Sequence, residues 1–188
     1  MLAAAALLLA AAAPQTASAD AAALLARFDS YCATLDSLDA ISGRIEATGW
    51  ARFTPEAKSD LGKLLSFNDG KTGDLPGWAQ ENRAFAAGAD PSLVAIVTTA
   101  GVPGQHSLEC RVISLDAASA PADAAIEAWA RRAPTTAVAD TGVKIWQWEP
   151  GLHDGQRITG IAFVAKDSPF RSQLPLLGLV AQAMRDME

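Results

Sequence analysis

Two cysteines and two histidines are the side chains of this sequence best suited to nucleophilic, redox or metal chemistry. Cys32 lies in FDSYCATL, four residues after Phe28, on a stripe that also carries Leu24, Leu25, Tyr31, Leu35 and Leu38. That spacing predicts a helix from Ala21 to about Ala40 with the thiol on its buried side. Cys110 lies in HSLECRVISL, where alternation puts Leu108, Cys110 and Val112 on one face and Glu109 and Arg111 on the other. A catalytic thiol needs partial exposure and a basic neighbour. A structural zinc needs four ligands, usually in closely spaced pairs. Cys32 has no histidine near it in sequence, and His106 shares a strand with Cys110 only at a spacing of four. The favoured reading is a disulfide between Cys32 and Cys110, formed if the helix covers the apolar side of the strand. In the chain-entropy treatment, closing so long a loop is worth roughly 4–5 kcal/mol. No metal or cofactor site is expected.

Asp140 is the one catalytic candidate. It sits in AVADTGV, which resembles the catalytic turn of the aspartic proteases, and Leu176-Leu177-Gly178 resembles their second hydrophobic-hydrophobic-glycine element. The resemblance implies an all-β frame and a second aspartate sharing a proton with Asp140. Against it stand the helical patterns elsewhere in the chain and the lack of a segment for a flap hairpin between the two elements. The favoured alternative is a turn before a strand, with Asp and Gly in their usual roles. Gly70-Lys71-Thr72 has the ending of a phosphate-binding loop, but Leu65 stands where that pattern needs its first glycine. It reads as a turn. Asp29, Asp36 and Asp39 read as the solvated face of the first helix rather than a cation site. His106 and His153 lie at two different hairpins and read as surface residues, which converge only if both turns lie at the same sheet end.

The elements that must position these residues follow from periodicity. RIEATGWARF (44–53) reads as a short strand, and Thr54-Pro55 as the start of a helix through Leu61, Leu64 and Leu65. NDGKTGDLPGW (68–78) reads as a surface loop. SLVAIVTTA and HSLECRVISL form a hairpin, followed by a helix opened by Pro121 that carries Ile126 and Trp129. VKIWQWE and RITGIAFVA form a second hairpin, followed by a helix after Pro175 with Leu176, Leu177, Val180, Met184 and Met187 on one stripe. Hairpins imply an antiparallel sheet. The expected fold is therefore α+β: about 4–6 antiparallel strands, helices on one face, and a second half reading as ββα repeated. In VKIWQWE, Lys144, Trp146 and Trp148 share a face opposite Val143 and Ile145. If Val143 and Ile145 face the helices, the tryptophans form an exposed pair, and Trp146, Trp148 and Lys144 become the binding candidates. In the other reading the tryptophans pack beneath a loop such as that around Trp78.

Composition fixes the class. The chain has 188 residues, 50% hydrophobic and 19% charged, which is globular composition. A net charge of −6 without a basic cluster argues against nucleic acid. MLAAAALLLAAAAPQTASAD carries no charge until Asp20 and ends in Ala17-Ser18-Ala19, which fits signal-peptidase cleavage. Residues 1–19 are therefore expected to be a secretory signal and 20–188 a single domain. Such a protein is periplasmic or secreted, and is not held in a membrane once the signal is removed. An oxidising compartment also suits the disulfide. No complete catalytic set is present, so the favoured function is a non-enzymatic binding module for a protein or small ligand, such as an inhibitor or protective protein. The alternatives are a hydrolase using Asp140 or the histidines, and a structural component of the envelope.

Overall fold

A computed structural model describes residues 19–66, 75–88, 90–172 and 178–187. The proposed signal segment up to residue 18, the Gly70-Lys71-Thr72 turn, and Leu176 with Leu177 lie outside these. The elements in chain order are α1 (Ala19–Cys32), α2 (Leu38–Glu46), β1 (Trp50–Phe53), α3 (Asp60–Ser66), β2 (Ala79–Ala87), β3 (Asp90–Val102) and β4 (Gln105–Ser114). There follow α4 (Asp123–Ala130), β5 (Thr136–Asp140), β6 (Val143–Trp148), β7 (Ile158–Val164), a 3-10 turn (Pro169–Ser172) and β8 (Gly178–Met187).

The predicted first helix is two helices. Its apolar stripe is continuous, but Asp36 and Ser37 can bond to the backbone and so compete with helix. Ser37 accepts from the Ala40 amide at 3.1 Å and caps α2. Arg44 holds the connecting loop closed by donating to the carbonyls of Tyr31 and Thr34 and to the Asp36 carboxylate.

All eight strands form one antiparallel sheet in the order β1-β2-β3-β4-β8-β7-β6-β5. It consists of two four-stranded meanders joined at the centre by β4 and β8. Helix α4 carries the chain from the centre of the sheet to its far edge. This corrects the expectation of 4–6 strands and of a repeated ββα unit. Two strands that were not predicted, at residues 79–87 and 136–140, carry a high share of alanine, which has little strand preference.

The largest correction is β8, whose sequence predicts a helix. Leu179, Ala181 and Ala183 pack with the main core, while Val180 packs on the other side of the sheet. A central strand buried on both faces loses the period-two signature. Its Leu, Ala, Gln, Met and Arg residues are also strong helix formers. Pairing on both sides, with β4 and with β7, overrides that preference. Gly178 opens the strand at φ +78°, and a Cβ there would lie 2.0 Å from the Ser114 carbonyl oxygen. Only glycine lets β8 start this close to β4.

Helices are not confined to one face either. On one face, α1, α2 and α4 cover a core that includes Phe28, Phe85, Leu108, Trp146, Trp148 and Ile161. On the opposite face, α3 seats Leu61 and Leu64 on Ala84, Val94, Ile96, Ile113 and Val180. Cys32 and Cys110 are both fully buried and form a disulfide with a Cα–Cα distance of 5.5 Å. The expected covalent tie between α1 and β4 is present.

Candidate functional site

The tryptophan side of β6 faces the helices, so Trp146 and Trp148 are 2% and 0% exposed. Trp146 donates its indole N–H to Asp123 at 3.0 Å, and the Lys144 ammonium lies 3.4 Å from the same carboxylate. Trp148 donates to the Arg132 carbonyl at 3.3 Å. The three proposed binding residues are thus engaged with α4 and the segment after it, and the exposed-pair reading is corrected. Alternation in β6 could not decide this, because Val143 on the other face is buried as well.

Asp140 is exposed at the end of β5, beside the Thr141-Gly142 turn into β6. Its Oδ1 accepts from the Thr141 amide at 2.6 Å, as a turn aspartate does.

The sheet brings both histidine-bearing turns to one end. His106 on β4 pairs with Met187, and Met184, near the same end of β8, pairs with Ile158 at the start of β7. The two histidines nevertheless line separate clefts. The first cleft, about 460 Å³, is bordered by Trp78, His106, Ser107 and Asp186. These are the residue types of a serine hydrolase, but the strand pleat separates them. Ser107 is directly opposite Asp186 on one face of the sheet, while His106, one residue earlier, points to the other. Asp186 is already paired with Arg157 at 3.0 Å. Ser107 donates to the Ala100 carbonyl at 3.2 Å. No base–nucleophile hydrogen bond forms.

The second cleft, about 330 Å³, lies where α1, the end of α4 and the β6–β7 loop meet. Asp29 is its acid. Asp29 Oδ2 accepts the Trp129 indole N–H at 2.9 Å, and Oδ1 lies 4.0 Å from His153 Nε2, an ion pair when the imidazole is protonated. Trp129 stands edge-on between Phe28 and Trp148, with ring centroids 5.9 and 6.1 Å away, so the core fixes its orientation. Arg131 follows α4 in the left-handed region at φ 57°. That position usually falls to glycine, since a side chain there costs roughly 1–2 kcal/mol. Leu152 supplies an aliphatic wall.

The loop carrying His153 is itself anchored. Gln156, 4% exposed, donates to the Cys32 carbonyl at 2.9 Å and accepts from Thr159 at 2.6 Å. Arg132 donates to the Pro150 carbonyl at 2.5 Å and to the Gly151 carbonyl at 2.8 Å. An indole, a carboxylate and an imidazole therefore meet in one cleft on supported elements, and Arg131 also lines it. No serine, threonine or cysteine lines it. Among the described residues, no group of three or more His, Cys, Asp or Glu is placed to hold a metal ion.

The sequence reading set aside Asp29 as part of a solvated helix face and placed Trp129 only on the helix opened by Pro121. Their pairing spans 100 positions. The only signal available in the sequence was a tryptophan near the end of a helix, with a polar ring atom that must find a partner when buried. No known protein family, curated protein or solved structure matches the chain.

Proposed function

We propose that this chain is an exported binding protein whose contact site is the cleft between α1, the end of α4 and the β6–β7 loop. One observation carries the reading: Asp29, Trp129, His153 and Arg131 converge on a single cleft with no serine, threonine or cysteine among its lining residues. Such a lining favours a small polar ligand or a peptide end with three features. These are a hydrogen-bond donor for Asp29, an acceptor or anion for Arg131, and an apolar part against Trp129 and Leu152. Keeping an arginine in a left-handed conformation is the kind of local cost that functional surfaces retain. Export is supported by the uncharged apolar N-terminal segment and by the disulfide. Among the described residues, no helix is long and apolar enough to cross a membrane.

Ligand-observed NMR with a library of amino acids, short peptides and small carboxylates tests the site. The expected result is binding to the native protein that weakens at least about tenfold, or 1.4 kcal/mol, in the Arg131→Ala, His153→Ala double variant. Both positions are exposed, so an unchanged melting curve is expected. Equal binding by the double variant, or no binding at millimolar concentration, would overturn the proposal.

A further inference from the structure

We infer that β5 is a self-complementary edge through which two copies of this chain join their sheets into one. The inference concerns the far edge of the sheet and is independent of the cleft. An edge strand exposes unpaired backbone N–H and C=O groups, and natural proteins blunt such edges with lysines, prolines, bulges or a covering segment. At the other edge, β1 is only four residues long. Its Trp50 is buried against Tyr31, and its Arg52 pairs with Glu46. Among the described residues, the β5 edge lacks lysine, proline, bulge and covering segment, and its one charge, Asp140, stands at the end of the strand. All five residues, Thr136-Ala137-Val138-Ala139-Asp140, are exposed. Alternate residues of β5 turn their backbone groups away from β6. Val138, 47% exposed, is one of two large hydrophobic side chains exposed among the described residues.

A second copy is the occupant this sequence fits. Antiparallel pairing of β5 with itself about a two-fold axis at Val138 sets Val138 opposite Val138. Ala137 then faces Ala139, and Thr136 faces Asp140. The apolar centre meets itself, and the small alanines let the backbones approach. Each Asp140 carboxylate meets a hydroxyl rather than a second carboxylate. Val138 is also the cross-strand neighbour of Ile145, so the two-fold brings two Val138–Ile145 pairs into one apolar patch on the α3 side of the sheet. The interface is isologous and closes at two subunits, leaving a 16-stranded sheet whose free edges are the protected β1 strands.

Sedimentation of the intact, disulfide-bonded protein at rising concentration tests this. The native chain is expected to show a reversible monomer–dimer equilibrium with a Kd on the order of micromolar, as suits a small interface. Val138→Lys sets two ammonium groups face to face and is expected to raise that Kd at least tenfold, or 1.4 kcal/mol, with a melting curve unchanged at concentrations below the native Kd. Independently, Val138→Cys in an oxidising glutathione buffer is expected to cross-link into a covalent dimer. Leu75→Cys, at a site 50% exposed and remote from β5, is expected to stay monomeric. A native chain that sediments as a monomer throughout, or equal cross-linking of the two cysteine variants, overturns the proposal. A dimer unaffected by Val138→Lys also overturns it.

Discussion

Trp129 and Asp29 join α4 to α1 by a 2.9 Å hydrogen bond across 100 positions of sequence, at the mouth of the candidate cleft. The bond sets the cleft's shape and leaves the second carboxylate oxygen of Asp29 toward His153. Asp29→Asn keeps an acceptor for the indole but removes the charge. The expected outcome is a loss of stability below about 1 kcal/mol, since the site is half exposed, together with a lower affinity for cationic ligands. Urea denaturation and NMR titration of the same variant check the two halves separately.

Arg131 offers a sharper separation of stability from function. Arg131→Gly relieves the left-handed backbone and removes the cation from the cleft. The expected outcome is a gain of up to about 1 kcal/mol, read as a higher denaturant midpoint, together with weaker binding of anionic ligands. A lower midpoint would mean that the arginine side chain stabilises the fold.

The disulfide constrains the unfolded chain between residues 32 and 110. Replacing both cysteines by alanine is expected to cost about 2–4 kcal/mol. For a domain of this size that lowers Tm by roughly 4–16 °C. Calorimetry of the variant, and of the native protein with and without reductant, measures it. Both sulfurs are fully buried, so the native bond is expected to resist mild reductant until the domain opens.

Acid should weaken the loop between α1 and α2. The Arg44 guanidinium, bonded to Asp36 at 2.8 Å, holds that carboxyl below its usual range despite partial burial. A depressed folded pKa contributes stability above the unfolded value near 3.8, and that contribution is lost as pH falls through the folded pKa. Asp36→Asn is therefore expected to be less stable than the native chain at pH 7. The difference should narrow below about pH 4 and vanish once the native carboxyl is protonated. Denaturant midpoints at several pH values check the direction; a gap that stays constant down to pH 2 would exclude this ion pair as its source. Asp36 is about half exposed, so the effect is expected to be small.

Truncating Trp148 tests the reassignment of the tryptophans. A fully buried indole cut to alanine is expected to cost about 3–5 kcal/mol, whereas an exposed contact residue would cost almost nothing. Thermal melting decides between the two placements.

Sequence pattern revealed the disulfide partners because both cysteines sat on one-sided apolar stripes. It also revealed the β3–β4 and β6–β7 hairpins, the first from the β-branched run of β3 and the alternation of β4. It misplaced β8, because a strand buried on both faces and built from Leu, Ala, Gln and Met looks like a helix. It left β6 undecided, because two tryptophans alternate with Val143 and Ile145 and periodicity cannot say which side the helices choose. The cleft was invisible for a different reason. Asp29, Trp129, Arg131 and His153 come from three elements, and each alone has an ordinary explanation.

The attachments of α1 and the loop after it have a consequence for synthesis. Cys32 waits for a partner 78 positions later, Asp29 for one 100 later, the Cys32 carbonyl for Gln156, and the Asp36 carbonyl for Arg185, 149 positions on. The α1 helix and the loop after it are made before β7 and β8, yet they are held by Gln156, just before β7, and by Arg185 on β8. A product truncated before β8 is expected to keep these earlier ties but to lose the Arg185 bond and the Leu179, Ala181 and Ala183 part of the core, leaving apolar surface open to a protease or a chaperone. Making β8 is thus the step that completes the hold on the loop after α1.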